Sequence, residues 1–178
     1  KTKELQDGFM FDSEEKISNE ALEKSSAKIF PPYTVLLSIY ASPTVGRLGI
    51  TTEYSAFNQA CCGIIPNELI TYHFLYLYLF VNRNNLQNLA TGSAQQNLSV
   101  KIIKDYKIFV PDIRTIMEFS DKVDNIFESI KNNSYESLIL NQLKILLLNK
   151  LMSGQIDVEE LDIDWDKLSD TLEEVEAI

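Results

Sequence analysis

His73 is the single histidine of this 178-residue chain, and it lies inside the apolar run TYHFLYLYLF (71–80), where a core or groove residue is expected rather than a ligand. The two cysteines, Cys61 and Cys62, are adjacent, which supplies neither a disulfide framework nor a CxxC metal pair. They read as buried thiols on a strand. With no second histidine and no glycine-rich nucleophile turn, hydrolytic triads and histidine-based zinc sites lack parts. Glu53, Glu68 and Asp105 are acids of the type that holds Mg²⁺, but nothing in their spacing asks for it. The segment TGSAQQNLS (91–99) has no Lys-Ser or Lys-Thr after its glycine, so it is no phosphate-binding P-loop. A methyltransferase would need a cofactor-binding α/β unit, and no such unit is legible. A non-catalytic chain without a metal site of its own is expected.

The elements that carry these residues fall into three regions. YTVLLSIYA (33–41), GRLGITT (46–52) and ACCGIIP (60–66) are β-branched and aromatic runs separated by turn residues, and predict three short strands. The Leu, Tyr and Phe-rich stretch that follows predicts a helix from about Asn67 to Val81, with a second helical piece to Leu89. Ser99 has the character of a cap on a one-turn helix, and YKIFVP (106–111) reads as a strand stopped by proline. From Asp112 the apolar spacing becomes 3, 4, 3 and 4 at Ile116, Phe119, Val123, Ile126 and Ile130, the seam of a helix that packs along another helix. The stripe pauses at Asn132-Asn133-Ser134, resumes through Leu138, Leu140, Leu143, Leu146, Leu147 and Leu151, and ends at Gly154. At about 1.5 Å per residue a helix over 112–152 would be on the order of 60 Å long, too long to bury its seam against a domain of this size. Two ordinary core helices broken at Asn132-Asn133 are the alternative.

The fold class is therefore α+β: a small mixed-sheet domain with helices over 1–110, a long coiled-coil-forming helix over 111–154 and an acidic tail over 155–178. That tail holds ten acids against Lys167 alone, a net −9, which leaves a net −1 on residues 1–154 from 15 bases and 16 acids. Trp165, Leu168, Leu172 and Val175 are spaced to form an acidic amphipathic helix that docks on a partner or on the helical rod, or else frays. A body so close to neutrality does not grip nucleic acid unaided, because phosphate neutralisation supplies most non-specific affinity. No apolar run reaches the ~20 residues of a membrane span, and the opening KTKELQDGFMFDSEEK lacks the apolar core of a signal peptide. A soluble, cytoplasmic protein is expected.

Four pieces in this order, KIFPPYTVLLSIYASPTVGRLGI, FNQACCGIIP, TGSAQQNLS, and YKIFVP leading into a helix that finishes LLLNKLMSGQIDV, resemble the DNA specificity subunit of type I restriction-modification systems. The resemblance runs from about Ile17 to Val158. It implies a target-recognition domain and the long helix that follows it. Such a subunit has two of each, with the helices paired antiparallel to set the distance between the domains. The implied partners are double-stranded DNA, a methyltransferase (modification) subunit, a restriction subunit, and a second helix from another copy or a second half. S-adenosylmethionine, ATP and Mg²⁺ would belong to the partner subunits, and no cofactor to this chain. The family pattern begins with several tens of residues before the part matched by Lys1, so a fragment or half-subunit is expected. Pro111 is followed by Asp112-Ile113-Arg114-Thr115 where the family usually has a glutamate-glutamine pair, and the acidic tail has no family counterpart.

Within this resemblance, side chains that reach groove edges must read bases while others position the protein on phosphates. The candidates are Lys28, Ser38, Tyr40, Ser42, Thr44, Arg47 and Asn58, with Gln59 beside the last. Arg47, a guanidinium beside a glycine turn, suits a phosphate or a guanine edge, against the alternative of a surface arginine on a strand. Lys101, Lys104 and Lys107 form a basic group suited to phosphates, or to solvent. Gly92, Ser93, Gln95 and Asn97 lie where family recognition domain and helix meet; an architectural role is favoured over base reading for Gln95 and Asn97. Helix pairing is assigned to Ile116, Phe119, Val123, Ile126, Ile130, Leu140, Leu143 and Leu147. A helical dimerisation scaffold without DNA binding is the rival function, and a metal-dependent nuclease a third.

Overall fold

The structure, a computed structural model, describes residues 1–40, 44–90 and 97–157. The expectations for Ser42, Gly92, Ser93, Gln95 and most of the acidic tail lie outside the described residues. The chain divides into two compact units, Lys1–Tyr135 and Glu136–Ile178, and the division falls inside the long helix.

The first unit is built on a mixed four-stranded sheet of order β1-β3-β2-β4. The three strands read from the sequence are present as β2 (Val35–Ser38), β3 (Leu48–Thr51) and β4 (Cys61–Ile64). A fourth, β1 (Gly8–Met10), joins parallel to β3, whereas β2 pairs antiparallel with both β3 and β4. In β2, alternate residues face opposite ways: Val35, Leu37 and Ile39 enter the main core, and Leu36 joins Leu5 and Cys61 on the other face. Leu36 sits in register between Gly49 and Gly63. A Cβ at Gly49 would come within 2.7 Å of Leu5 Cδ2, and one at Gly63 within 2.4 Å of Phe57 Cζ, so bare backbone lets Leu5 and Phe57 lie flat on the sheet.

Helices cover the main-core face. A single 3₁₀ turn (Thr2–Glu4) and α1 (Asn19–Glu23) precede the hairpin. The apolar helix α2 (Tyr72–Val81) starts five residues later than its composition suggests, because Asn67 closes a turn of its own. Its Oδ1 accepts hydrogen bonds from Leu69 N (2.9 Å) and Ile70 N (3.0 Å), and Thr71 then caps the helix by accepting from Phe74 N. Next come α3 (Arg83–Asn88) and α4 (Val100–Asp105), the latter capped by Ser99 Oγ, which accepts from Ile102 N at 3.2 Å. Residues 106–111 form no strand, contrary to expectation. The run is apolar but pairs with no strand edge, and Phe109 is 79% exposed.

The last helix, α5 (Ile113–Met152), is 40 residues without a break at Asn132-Asn133. It ends in a Schellman arrangement: Gly154 takes φ +70°, Gly154 N donates to Leu151 O (3.1 Å) and Gln155 N to Lys150 O (3.0 Å). The predicted seam is divided. Ile116 and Ser120 are buried, Val123 packs on the main core and Phe127 is buried, so these four define the face of α5 turned to the core, with half-buried Phe119 at its edge. Phe127 meets Phe9, Tyr72, His73 and Tyr76 edge-on, with ring centroids 4.9–6.3 Å apart. Ile116 and Val123 are thereby withdrawn from pairing with a second helix, while Ile126 and Ile130 stay exposed. Among the described residues no helix is long and apolar enough to cross a membrane.

Candidate nucleic-acid interface

One end of the sheet gathers the polar residues. Because β2 is antiparallel to both neighbours, its C-terminal end lies beside the starts of β3 and β4. Ile39 N donates to Ala60 O (2.9 Å), and Ile39 O accepts from Leu98 N (2.8 Å). Those two bonds bring Tyr40, the Thr44–Arg47 turn, Asn58 and the segment 97–99 that leads into α4 to the same edge. Tyr40 is exposed, Arg47 half-exposed and Asn97 half-buried. Lys101 and Lys104 lie on exposed positions of α4, and Lys107 follows it. The charge of Lys104 is felt at Cys62 on β4, where it opposes the burial that raises that thiol above its ordinary pKa.

The turn is closed by backbone. Arg47 N donates to Thr44 O (3.0 Å), Ser38 N donates to Arg47 O (2.8 Å) and Gly46 N donates to Ser38 O (2.9 Å). Thr44 Oγ1 donates to Tyr40 O at 3.2 Å. With its backbone so committed, Arg47 has only its side chain to offer, and among the described residues that side chain has no ion pair. The ion pairs occupy other bases, notably Lys1, Lys3, Lys16, Lys24, Arg83 and Lys131.

Two expected contacts are placed elsewhere. Ser38 is fully buried, since β2 is one of the two inner strands and is covered on both faces; its hydroxyl faces Thr44 Oγ1 at 3.4 Å and supports the turn from inside. Lys28 lies at the opposite end of the sheet, beside the Phe30–Ser55 bridge and the bond from Tyr33 N to Thr51 O. Asn58 is exposed, and its Oδ1 accepts from Ala60 N at 3.2 Å, so it holds the turn into β4.

Sequence reading missed the node behind this edge. Asp7 and Arg83, 76 positions apart, form a two-pronged ion pair, with Arg83 Nη1 at 3.0 Å from Asp7 Oδ2. The same carboxylate accepts from Leu48 N (2.8 Å), and Tyr76 donates its hydroxyl to Asp7 O (2.8 Å). Burial, reinforced by the charge of Asp7, pushes the Tyr76 phenol up to about 12. Only the left-handed backbone of Asp7 (φ 60°), a conformation Asp tolerates better than most residues, hints at its special place.

His73 belongs to the α2–α5 packing, apart from this edge. It is buried, with Nε2 3.3 Å from Asp124 Oδ1, and burial holds its pKa below the ordinary imidazole range against the opposing pull of Asp124. Among the described residues no group of three or more His, Cys, Asp or Glu side chains is placed to hold a metal ion.

Residues 2–144 match the family model described as "Type I restriction modification DNA specificity domain". The chain is 32% identical over 151 residues to the type I restriction enzyme HindI specificity subunit of Haemophilus influenzae, covering 83% of this chain and 32% of that protein. It is 29% identical over 122 residues to the MjaIX specificity subunit of Methanocaldococcus jannaschii, covering 63% of this chain and 28% of that one. It thus spans about a third of the length of these relatives. A chain of a solved type I R-M system superposes with a TM-score of 0.49 at 17% identity, covering 84% of this chain and 36% of its own length.

Proposed function

The chain belongs to the type I restriction-modification DNA specificity family, and from that premise we propose that it is a non-catalytic reader of double-stranded DNA, recognising one half of a bipartite target. The observation that carries this reading is the convergence at one sheet edge of Tyr40, Thr44, Arg47 and Asn58 with the entry to α4 and its exposed lysines. Arg47 and the Asn58 amide address base edges, and Lys101 and Lys104 address phosphates. The exposed leucines of α5, Leu140, Leu143 and Leu147, pair with a second helix from another copy or a second half, which sets the distance between two reading heads.

On this reading the partners are a methyltransferase subunit that binds S-adenosylmethionine and a restriction subunit that consumes ATP with Mg²⁺, and the complex works in the cytoplasm. The division of labour follows from charge, because a body of net −1 over residues 1–154 needs basic partners to embrace DNA. Family membership lends no support to a scaffold without DNA binding.

A gel-shift series with and without the methyltransferase subunit tests the reading. Weak, strongly salt-dependent binding is expected from the chain alone, and specific binding after assembly. Arg47→Ala in the assembled complex should cost about 1–3 kcal/mol against the preferred site, whereas Lys101→Ala should weaken all sequences alike and lower the salt slope by about 1. No shift in either lane would leave the scaffold as the better account.

A further inference from the structure

We infer that α3 is a strut for the reading turn, and that Gln87 is a positioning residue that fixes where Arg47 meets DNA without touching DNA itself. The inference rests on the reading of this sheet edge as the DNA face.

Gln87 Nε2 donates to Val45 O at 2.8 Å, a bond from the helix to the turn across 42 positions of sequence. Gly46 takes φ +85°, and its missing side chain is the reason the turn can lie on α3. A Cβ there would meet Arg83 Cγ at 3.1 Å, Gln87 Nε2 at 3.2 Å and Gln87 Cγ at 3.3 Å. Arg83 is in turn locked to Asp7, whose carboxylate also receives Leu48 N, the residue directly after Arg47. The turn is therefore held on both flanks of Arg47 by one connected set of groups: Gln87 at Val45, and Arg83 through Asp7 at Leu48. The Arg83 guanidinium is itself braced over the Phe80 ring, 4.9 Å from its centroid.

Surface turns are ordinarily the mobile part of a fold. Reading a base edge tolerates a displacement of only about 0.5 Å at the contacting group. A turn bolted to a helix on its inner side meets that demand, and a loose turn with the same arginine retains the charge but loses the aim. Gln87 thus governs discrimination between sequences, while general attraction to DNA depends on the basic side chains that meet phosphates.

The test uses the chain assembled with its methyltransferase subunit and a pool of duplexes carrying a randomised window, from which bound DNA is selected and sequenced. Gln87→Met keeps the volume and loses the donor. Gln87→Glu keeps the shape and turns an acceptor toward the Val45 carbonyl. Each should lower preference at the positions that Arg47→Met also erases, by about ten-fold in discrimination, the loss expected when a base contact worth 1–3 kcal/mol goes slack. For Gln87→Met, which changes no charge, affinity for unrelated duplex and its salt slope should stay within about two-fold of the parent, a separation that general destabilisation would not produce. Gln87→Lys, which restores a donor, should recover part of the preference. If both variants that lack the donor return the parental motif with parental enrichment, the strut is overturned. A parent that enriches no motif overturns the reading of the edge itself, and this inference with it.

Discussion

The two parts of α5 use apolar side chains in opposite ways. From Ile113 to Tyr135 the helix is rich in polar residues, yet it buries Ile116, Ser120 and Phe127 against the sheet domain. From 139 to 152 it is dominated by Leu and Ile, and not one of those side chains is buried; Ile145 is 60% exposed and Leu140 56%. Apolar content therefore does not measure what a segment contributes to its own fold. The first part contributes through a few residues at matched positions, and the second leaves its apolar side chains exposed.

Replacing the most central residue of the first part gives the largest expected effect. Phe127→Ala removes a ring that meets four others, and should lower unfolding stability by about 3–5 kcal/mol in urea titrations. A loss below about 1 kcal/mol would break the contrast.

The second effect is smaller and depends on pH. Burial holds the His73 pKa below its ordinary 6.5, so the unfolded chain takes up the proton more readily than the folded one. The stability contributed by the neutral ring is complete above that value and is lost as pH falls below it toward the depressed folded pKa. Urea midpoints at pH 7.5 and 5.5 should show this fall in the parent and a shallower one in His73→Gln; equal slopes would remove His73 from the account.

Smallest for the fold is the double substitution of Leu140 and Leu147 by Lys. Stability should change by no more than about 0.5 kcal/mol, since both positions are already in solvent. The pairing of α5 with a second helix proposed above, followed by sedimentation, should be lost. A substantial drop in stability would show that these leucines serve the fold after all.

What was legible in the sequence follows the same physics. The inner strands and the unbroken length of α5 were legible because their signals are local and dense, and Ser99 because a cap acts within three residues. β1 was not, since Gly8-Phe9-Met10 is too short for alternation to register and its pairing with β3 is long-range. The core-facing side of α5 was misjudged because Ser120 interrupts its apolar pattern; Ser120 is tolerated there by sharing a 2.7 Å hydrogen bond with Thr71. At the candidate interface, Arg47 and Tyr40 were legible as polar groups beside a turn. Ser38 was misplaced because a strand covered on both faces shows no alternation that would tell inside from outside. The Asp7–Arg83 and Gln87–Val45 links join distant positions, and no local pattern announces them.

The row Gly49-Leu36-Gly63 bounds what can be altered at the candidate interface. Residues 44–47 stop two positions short of the row on β3, and Asn58 and Gln59 stop short of it on β4, so side chains at that edge can be exchanged without unseating Leu5 or Phe57. Freedom ends at Gly46: a transplanted turn that brings a bulkier residue to that spot would be lifted off its seat. This edge thus accepts exchanged side chains around Gly46, with the length and path of the turn left as they are.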